Sequence, residues 1–369
     1  MTPPDGVPAY EFIKKYVRKR IERGELSEGD LLPSEYSLAT MFEVSRSLAR
    51  QALRELEIEG YIERSQGKRS RVAPVENRLK GVDWQGMPIV ALAFLGVQSR
   101  FSQRVVHGFT RRASELGYHT LTYNVWLNNE AEFEFLRSLQ RCGVAGMAAW
   151  LHDDKPSTRE LLEEFIGTGF PFVQIDRYVR DIASDLVVSD NVDIGFRLTQ
   201  ALIVRGHRRI ALCTEPEPVS SVQDRATGYQ NALDGAGIVV DPRLVLTLNS
   251  EDEDHSINEL HTLLALRESP TAFFCINEYL MSLLVDELTT LGYHIPADFE
   301  LAVVDDSDVA SRLALPAVRA FQQAELMGTR SAELLVRRIA SPQKATEQAF
   351  LPAELVSDLG QPGENVTAM

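Results

Sequence analysis

The chain has 369 residues, which is too long for one compact domain, so two or three domains are expected. Its 44% apolar and 25% charged residues are typical of a globular protein and exclude a disordered chain. No run of 18 apolar residues and no secretory signal occurs, and three cysteines at distant positions argue against a disulfide framework. These features predict a cytoplasmic protein that does not enter a membrane.

The charge is distributed unevenly along the chain. The net charge is −15, yet residues 1–75 contain 13 basic and 12 acidic side chains, whereas residues 76–369 contain 25 and 41. Four basic residues cluster near the end of the first part: Arg64, Lys68, Arg69 and Arg71. This distribution predicts a small N-terminal module that binds a polyanion, followed by a larger acidic part that does not contribute to that binding.

Three helices are predicted within the first 60 residues. Apolar residues recur every four positions in residues 10–23, which is the spacing of one helix face. Ser34 is a predicted N-cap for a second helix that carries Leu38, Ala39 and Phe42 on its apolar side. Ser45 is the predicted N-cap of a third helix.

The third helix carries the most informative pattern. Arg46, Arg50 and Arg54 recur at four-residue spacing, with Ser47 and Gln51 between them, and the opposite face is apolar. Arginine suits phosphates and guanine edges, and an α-helix fits the major groove of DNA. A solvated face that pairs with neighbouring glutamates is the alternative for this helix taken alone.

A hairpin follows the third helix. Residues 61–72, YIERSQGKRSRV, contain two short strand patterns with Gly67 between them. Three helices followed by a hairpin predict a winged helix-turn-helix. Lys68 and Arg69 lie in the predicted wing, from which they can reach the DNA backbone or the minor groove.

The segment LPSEYSLATMFEVSRSLARQALRELEIEGYIERSQGKRSRV resembles the DNA-binding domain of the gluconate-repressor (GntR) family. The resemblance covers about residues 10–73. It implies that the DNA contacts are made by Ser34, Arg46, Ser47, Arg50 and Gly67. Two positions depart from the family pattern, because Tyr36 replaces the usual Arg and Arg69 replaces a wing glycine. These departures affect the operator sequence and the path of the wing.

Residues 76–87 are predicted to be a linker, because they contain Gly and charge without periodicity. From residue 88 to 369, strand patterns alternate with amphipathic helices. The apolar runs are IVALAF, HTLTYNV, GMAAWL, PFVQID, LVVSD, RIALCT, LVLTL, TAFFCI and ELAVVD. Repeated βαβ units predict an α/β fold with parallel sheets, and the length of this part suggests two lobes.

Polar residues follow four of the predicted strands. Ligands bind in open α/β sheets outside the carboxyl ends of the strands, where Asp, Asn and Arg can hold vicinal hydroxyl groups. Helix capping is the alternative at each position. The residues concerned are Asp176, Arg177, Asp190, Asn191, Asn277, Asp305 and Asp306.

The order IDRYVRDIASDLVVSDN, RGHRRIAL, DRATGYQNALDGAG, IN and VVDDSD resembles the effector domain of the lactose-repressor (LacI) and periplasmic sugar-binding family over about residues 88–357. The resemblance implies a two-lobed, periplasmic-binding-protein-like (type I) domain. The ligand contacts that it implies are Phe101, Asp176, Arg225, Asn277, Asp305 and Gln322. The sequence departs from the family at Glu278 and at Val303 and Val304. Trp150 ends a strand, where it could stack on a sugar or be buried in the lobe.

Taken together, the patterns predict a cytoplasmic, homodimeric transcription regulator that binds double-stranded operator DNA and is released by a small sugar. The combination of domains is similar to that of bacterial arabinose repressors. A sugar-processing enzyme, a sugar-binding protein and a nucleobase co-repressor as effector are the alternatives. No GxGxxG, P-loop, HExxH or GxSxG motif occurs, and His255 and His261 lack a third metal ligand nearby. No catalytic residue, metal or cofactor is therefore expected.

Overall fold

The computed structural model describes residues 9–64, 69–74, 88–94, 99–125, 130–152, 155–216, 219–248, 253–304 and 316–359. The chain forms two compact units. Residues 1–91 with 125–146 form the first unit, and residues 92–124 with 147–369 form the second. The predicted linker, residues 76–87, lies outside the described residues.

The first unit begins with three helices and a hairpin. The helices are α1 (Ala9–Glu22), α2 (Glu35–Phe42) and α3 (Arg46–Ile58). Strands β1 (Ile62–Glu63) and β2 (Arg71–Val72) pair antiparallel, and Ile62 lies opposite Val72. The hairpin predicted over residues 61–72 is confirmed, although its turn lies outside the described residues.

Both predicted N-caps are confirmed. The Ser34 hydroxyl accepts a hydrogen bond from the backbone N–H of Ser37 at the start of α2, and the Ser45 hydroxyl accepts one from the N–H of Leu48 at the start of α3. These bonds satisfy N–H groups that have no partner inside the helix. The caps fix where α2 and α3 begin, and hence which residues of α3 face outward.

The core of these three helices consists of the residues that the sequence pattern placed inside. Ile13 and Val17 of α1 are fully or almost fully buried, as are Leu38 and Phe42 of α2. The Phe42 ring makes an edge contact with the ring of Tyr16 at 5.1 Å between centroids. Burial of these side chains stabilises the helices, because isolated helices of 8 to 14 residues are marginal in water.

Two six-stranded sheets follow. The first contains β3 (Ile89–Phe94), β4 (His119–Asn124), β5 (Met147–Ala149), β6 (Phe172–Ile175), β7 (Asp185–Ser189) and β13 (Gln348–Leu351), in the order β13-β7-β6-β5-β3-β4. The pairs β5–β6, β6–β7 and β7–β13 are parallel. The accompanying helices are α4 (Arg100–Glu115), α5 (Glu130–Arg141) and α6 (Pro156–Thr168).

The second sheet contains β8 (Ile210–Thr214), β9 (Val245–Thr247), β10 (Ala272–Cys275), β11 (Glu300–Val304), β12 (Val318–Phe321) and β14 (Glu354–Ser357), in the order β14-β12-β11-β10-β8-β9. Its strands are parallel except β14, which pairs antiparallel with β12. The remaining helices are α7 (Asn191–Val204), α8 (Ser220–Gly235), α9 (Glu253–Leu264), α10 (Glu278–Thr290) and α11 (Ala324–Ala340).

The chain crosses between the two sheets. Helix α7 follows β7 of the first sheet but packs on β10, β11 and β12 of the second. Helix α11 follows β12 of the second sheet but packs on β5, β6 and β7 of the first. A third crossing joins β13 to β14. The ends of β7 and β12 therefore lie where the chain passes from one lobe to the other.

Glycines allow the crossing helices to approach closely. A Cβ atom at Gly195 of α7 would overlap the carbonyl of Arg225 in α8, and one at Gly228 of α8 would overlap the carbonyl of Val192 in α7. Larger residues would force the two backbones apart. Helices α4 and α11 meet in the same way (Gly108 against Glu325, and Gly328 against Val105).

Candidate functional site

Helix α3 presents the exposed arginines that the sequence predicted. The side chains of Arg46 and Arg50 are 66% and 58% exposed, and Arg54 is also exposed. Ala49 and Leu53, on the opposite side of the helix, are buried. The helix therefore offers a row of guanidinium groups on its outer face, as a helix that enters the major groove requires.

One carboxylate holds these arginines together. Glu35, the first residue of α2, lies 3.1 Å from Arg50, 3.4 Å from Arg46 and 2.9 Å from Arg64 at the end of β1. The hydrogen bond from Arg50 lowers the pKa of Glu35 below its ordinary value, against the opposing effect of partial burial. Glu35 is not among the site residues predicted from the sequence, although it lies in the LPSE stretch that carries the family resemblance.

The other predicted DNA contacts have local roles in this structure. The hydroxyl of Ser47 lies 2.8 Å from that of Ser45, next to the cap of α3. The guanidinium of Arg69 donates to the carbonyl of Leu32 at 2.7 Å, which ties the start of β2 to the residues before α2. Gly67 and Lys68 lie outside the described residues, and their contacts stay predictions.

Arg225 is the centre of a buried polar cluster at the crossings between the sheets. It is 6% exposed, and it donates to Asn191 Oδ1 at 2.9 Å, to the carbonyl of Ile276 at 2.7 Å and to Gln322 Oε1 at 3.1 Å. Gln322 Oε1 also accepts from the Ser189 hydroxyl at 2.8 Å. Two predicted ligand residues, Arg225 and Gln322, are thus joined directly.

The structure explains why this cluster forms. Asn191 follows β7, Arg225 lies in α8, Ile276 follows β10, and Gln322 follows β12, so four elements meet at the carboxyl ends of parallel strands. Such ends are where α/β sheets bind ligands. Asn191 is one of the strand-end residues predicted either to bind a ligand or to cap a helix, whereas Ser189 was not predicted.

Asp176 follows β6 at the same edge. It is 6% exposed and has a backbone φ of 63°, in the left-handed region that non-glycine residues rarely adopt. Its carboxylate lies 3.7 Å from the guanidinium of Arg177. Such a conformation costs roughly 1–3 kcal/mol and is found mostly where function fixes a side chain.

Capping accounts for two of the polar strand ends. Asp190 accepts from the N–H of Asp193 at 3.0 Å, and Asn277 Oδ1 accepts from the N–H of Leu280 at 2.9 Å. The capping alternative is therefore confirmed for both residues. Asn277 has a second bond, from its Nδ2 to Glu215 Oε1 at 2.7 Å, at the ends of the neighbouring strands β8 and β10. Glu215 was missed by the sequence analysis. Asp305 and Asp306 lie outside the described residues.

An aromatic pair lines the end of the first sheet near β5. Phe101, in the first turn of α4, is 9% exposed, and Trp150, directly after β5, is 5% exposed. Their rings meet edge to face, with 5.5 Å between centroids and 85° between planes. This is a favourable geometry for two aromatic rings. Trp150 is thus buried. Burial in the lobe was one of the two alternatives predicted for it, and stacking on a sugar was the other.

A second polar link joins the loop after β6 to α8. Asp224 accepts from the hydroxyl of Tyr178 at 2.9 Å and from the guanidinium of Arg180 at 2.6 Å, and the N–H of Tyr178 donates to the Ser220 hydroxyl. Burial, followed by the charge of Asp224, raises the pKa of Tyr178. These contacts run between an element of the first sheet and one of the second.

Two features are absent from the described part of the chain. None of its helices is long and apolar enough to cross a bilayer. Within the same part of the chain, no three His, Cys, Asp or Glu side chains are arranged to hold a metal ion.

An exposed arginine helix and a buried polar cluster at the ends of parallel strands define a DNA-binding regulator with a ligand sensor. Comparison with known families confirms this class. Residues 9–72 match the model described as bacterial regulatory proteins, gntR family, and residues 199–357 match the periplasmic binding protein-like domain. The chain therefore combines a gntR-type DNA-binding domain with a periplasmic binding protein-like domain.

Related sequences cover between 65% and 90% of the chain. The arabinose metabolism transcriptional repressor of Geobacillus stearothermophilus is 27% identical over 342 residues, which is 90% of this chain and 92% of that protein. The HTH-type transcriptional repressor PurR of Vibrio atlanticus is 26% identical over 65% of this chain and 71% of that protein. Both of these relatives are named as transcriptional repressors.

Solved structures confirm the predicted fold class. A LacI family transcriptional regulator from Enterococcus faecium with bound ribose is 25% identical, has a TM-score of 0.62, and covers 73% of this chain and 97% of its own. The transcription regulator CcpA of Lactococcus lactis is 20% identical with a TM-score of 0.64, over 73% of this chain and 98% of its own. The second likeness concerns the fold alone.

Proposed function

We propose that this protein represses transcription by binding double-stranded operator DNA through α3, and that a small sugar releases it. The Arg225 cluster carries the proposal, because buried donors and acceptors from four elements meet where an α/β sheet binds its ligand. A polyhydroxylated ligand suits such a site, since each hydroxyl group can both donate and accept.

The relatives support the choice of a sugar. One is named for arabinose metabolism, and one similar structure contains ribose. We take L-arabinose and D-ribose as the first effector candidates for this chain. The protein would act in the cytoplasm as a homodimer, because two DNA-binding domains can then occupy two half-sites of one operator.

Release requires the sugar to prefer one conformation of the sensor. The bonds of Asp224 to Tyr178 and Arg180 link elements of the two sheets, and such links can differ between an open and a closed sensor. The sugar can change operator affinity only by the ratio of its affinities for the two states.

The test is a thermal-shift screen followed by a DNA-release assay. The ligand-free protein is heated with pentoses, hexoses, oligosaccharides and their phosphates, and a saturable rise in midpoint identifies a ligand of the native state. That sugar should then release the protein from its promoter fragment in a shift assay. If no sugar raises the midpoint and a nucleobase does, the sugar effector is wrong. A ligand that tightens DNA binding would be a co-repressor.

A further inference from the structure

We propose that Trp150 Nε1 and Asn191 Nδ2 are hydrogen-bond donors that hold two oxygen atoms of the effector. This inference rests on the proposed function and deepens it, because it assigns to two residues a donor role that neither the family resemblances nor the proposal above gives them. It also specifies what the ligand must present to each of them, namely an acceptor oxygen.

Both donors are buried and lack a partner among the described residues. Trp150 is 5% exposed and Asn191 is 2% exposed, and neither Trp150 Nε1 nor Asn191 Nδ2 has an acceptor within that part of the chain. A buried N–H group without an acceptor costs roughly 1–3 kcal/mol. Buried donors of this kind are rare in native proteins, and a functional site is one of the places where they are kept.

The two donors lie in one row at the edge of the first sheet. Strands β5, β6 and β7 are parallel neighbours, so their carboxyl ends lie side by side. Trp150 follows β5, Asp176 follows β6, and Asn191 comes two residues after β7. A carboxylate between two donors matches a chain of adjacent hydroxyl groups, which accept from the donors and donate to the carboxylate.

Arg225 fixes the orientation of the Asn191 amide. The guanidinium has only donors, and its Nε donates to Asn191 Oδ1 at 2.9 Å. The amide oxygen is therefore turned toward Arg225, and the NH₂ group is turned away from it. This assignment follows from the hydrogen-bond network, as amide orientations must.

Phe101 fixes the Trp150 ring. The edge-to-face contact at 5.5 Å holds the indole at the end of β5, and the backbone N–H of Trp150 donates to the carbonyl of Ala93 at 2.9 Å. The aromatic pair also supplies an apolar surface beside the polar row. Sugars present C–H faces as well as hydroxyl groups, so an aromatic wall with one N–H group suits them.

Two conservative variants test the assignment in the full-length protein. Asn191→Asp keeps an oxygen for Arg225 and replaces the free NH₂ group with a carboxylate oxygen. Trp150→Phe keeps an aromatic ring and removes the N–H group. Thr120→Val is the matched control. Thr120 in β4 also has a buried oxygen with no partner among the described residues, but it does not lie in the row of strand ends.

Affinity for L-arabinose, D-ribose and cellobiose is measured by titration calorimetry, with operator binding and thermal midpoint as checks on folding. The loss of one hydrogen bond is expected to weaken binding about 5- to 20-fold in each site variant and to leave Thr120→Val unchanged. A monodeoxy sugar that lacks the accepting oxygen should bind the wild type and the corresponding variant equally. That equality identifies the oxygen that each residue holds.

The outcomes separate this inference from the proposed function. If the wild type binds a sugar and a site variant binds it with the same Kd, the assignment is wrong for that residue while the sugar effector stands. If a variant loses affinity equally for every monodeoxy sugar, it has only a structural role, and its assignment also fails. If the wild type binds none of the sugars, the proposal of a sugar effector is wrong, and the assignment of these two residues is wrong as well.

Discussion

Arg50 and Arg225 are the same side chain in opposite surroundings. Arg50 is 58% exposed on α3 and pairs with the carboxylate of Glu35, whereas Arg225 is 6% exposed and donates to three neutral oxygens. An exposed arginine can exchange its partner for a phosphate or a base at little cost. A buried arginine has paid for desolvation and holds the elements around it in place. This difference predicts that substitution of Arg50 affects operator binding, whereas substitution of Arg225 affects sugar binding.

The largest effect is expected from Arg225→Ala. The change removes the guanidinium donor of Asn191 Oδ1, leaves Gln322 Oε1 with the Ser189 hydroxyl as its donor, and removes the predicted ligand contact, so sugar affinity should fall by at least about 100-fold. Operator binding in a shift assay should be retained, but the sugar should no longer release the protein. Arg243→Ala is the control, because that side chain is 67% exposed. Normal release by Arg225→Ala would place the pocket elsewhere.

The next effect concerns the helices that position Arg225. In Gly228→Ala the new methyl group meets the carbonyl of Val192, so α7 and α8 must separate, at a cost of about 1–3 kcal/mol in unfolding free energy. Urea denaturation measures this cost. Gly235→Ala, on the same helix, is the matched control, since a Cβ there meets nothing within 4 Å. Equal stability of the two variants would contradict the close crossing.

Arg50→Ala should weaken operator binding while leaving ligand binding intact. The loss of one arginine contact to a base or phosphate should reduce affinity about 10- to 100-fold. Arg330→Ala is the control, because Arg330 is 55% exposed and its glutamate partner also lies 3.1 Å away. Both variants are compared with the wild type at one salt concentration. If Arg50→Ala bound as tightly as Arg330→Ala, α3 would not be the DNA-reading helix.

The smallest effect is a dependence on pH. The pKa of Glu35 is lowered, mainly by its hydrogen bond from Arg50, so its contribution to stability is complete above its unfolded-state pKa and is lost as pH falls through the folded-state value. Acidification from pH 7 to 3 should therefore destabilise the wild type more than Glu35→Gln, by about 0.2–1 kcal/mol. Urea midpoints at both pH values measure the difference, and parallel losses would rule out this role.

Most of the fold could be predicted from the sequence, for identifiable reasons. Ser34 and Ser45 could be identified as helix N-caps because a cap depends only on neighbouring residues. The strands from β3 to β11 could be predicted because each lies in an apolar run of the sequence. Strands β12, β13 and β14 were missed. The four-residue strand β12 contains the charged Arg319. The edge strand β13 has exposed residues at alternate positions, and the edge strand β14 has no fully buried residue.

The site was harder to predict than the fold. The family resemblance gave Arg225 and Gln322, and the structure joins them. The contacts of Ser189 with Gln322 and of Asn191 with Arg225 depend on where the chain crosses between the sheets, and no local sequence pattern shows these crossings. Glu35 was missed for a similar reason, because its partners Arg50 and Arg64 lie 15 and 29 residues away.

The strand orders of the two sheets have a further consequence. The first sheet contains five consecutive strands, β3 to β7, and the second contains five, β8 to β12. When each set is numbered from one to five, the strand order is 5-4-3-1-2 in both sheets. In each sheet, one further strand from the C-terminal region (β13 or β14) pairs with the fifth strand. In both halves, the helix after the fifth strand packs on the other half. Duplication of one half would give this repetition if the last helix of each copy then packed on the sheet of the other copy.

An exchange of this kind couples the folding of the halves. Neither sheet can keep its full covering of helices if the other unfolds, because α7 and α11 each start from one sheet and cover the other. The two lobes should therefore melt in a single cooperative transition rather than in two. Mutations in one lobe would then lower the stability of both, and evolution could alter the sensor only by changes that both halves tolerate.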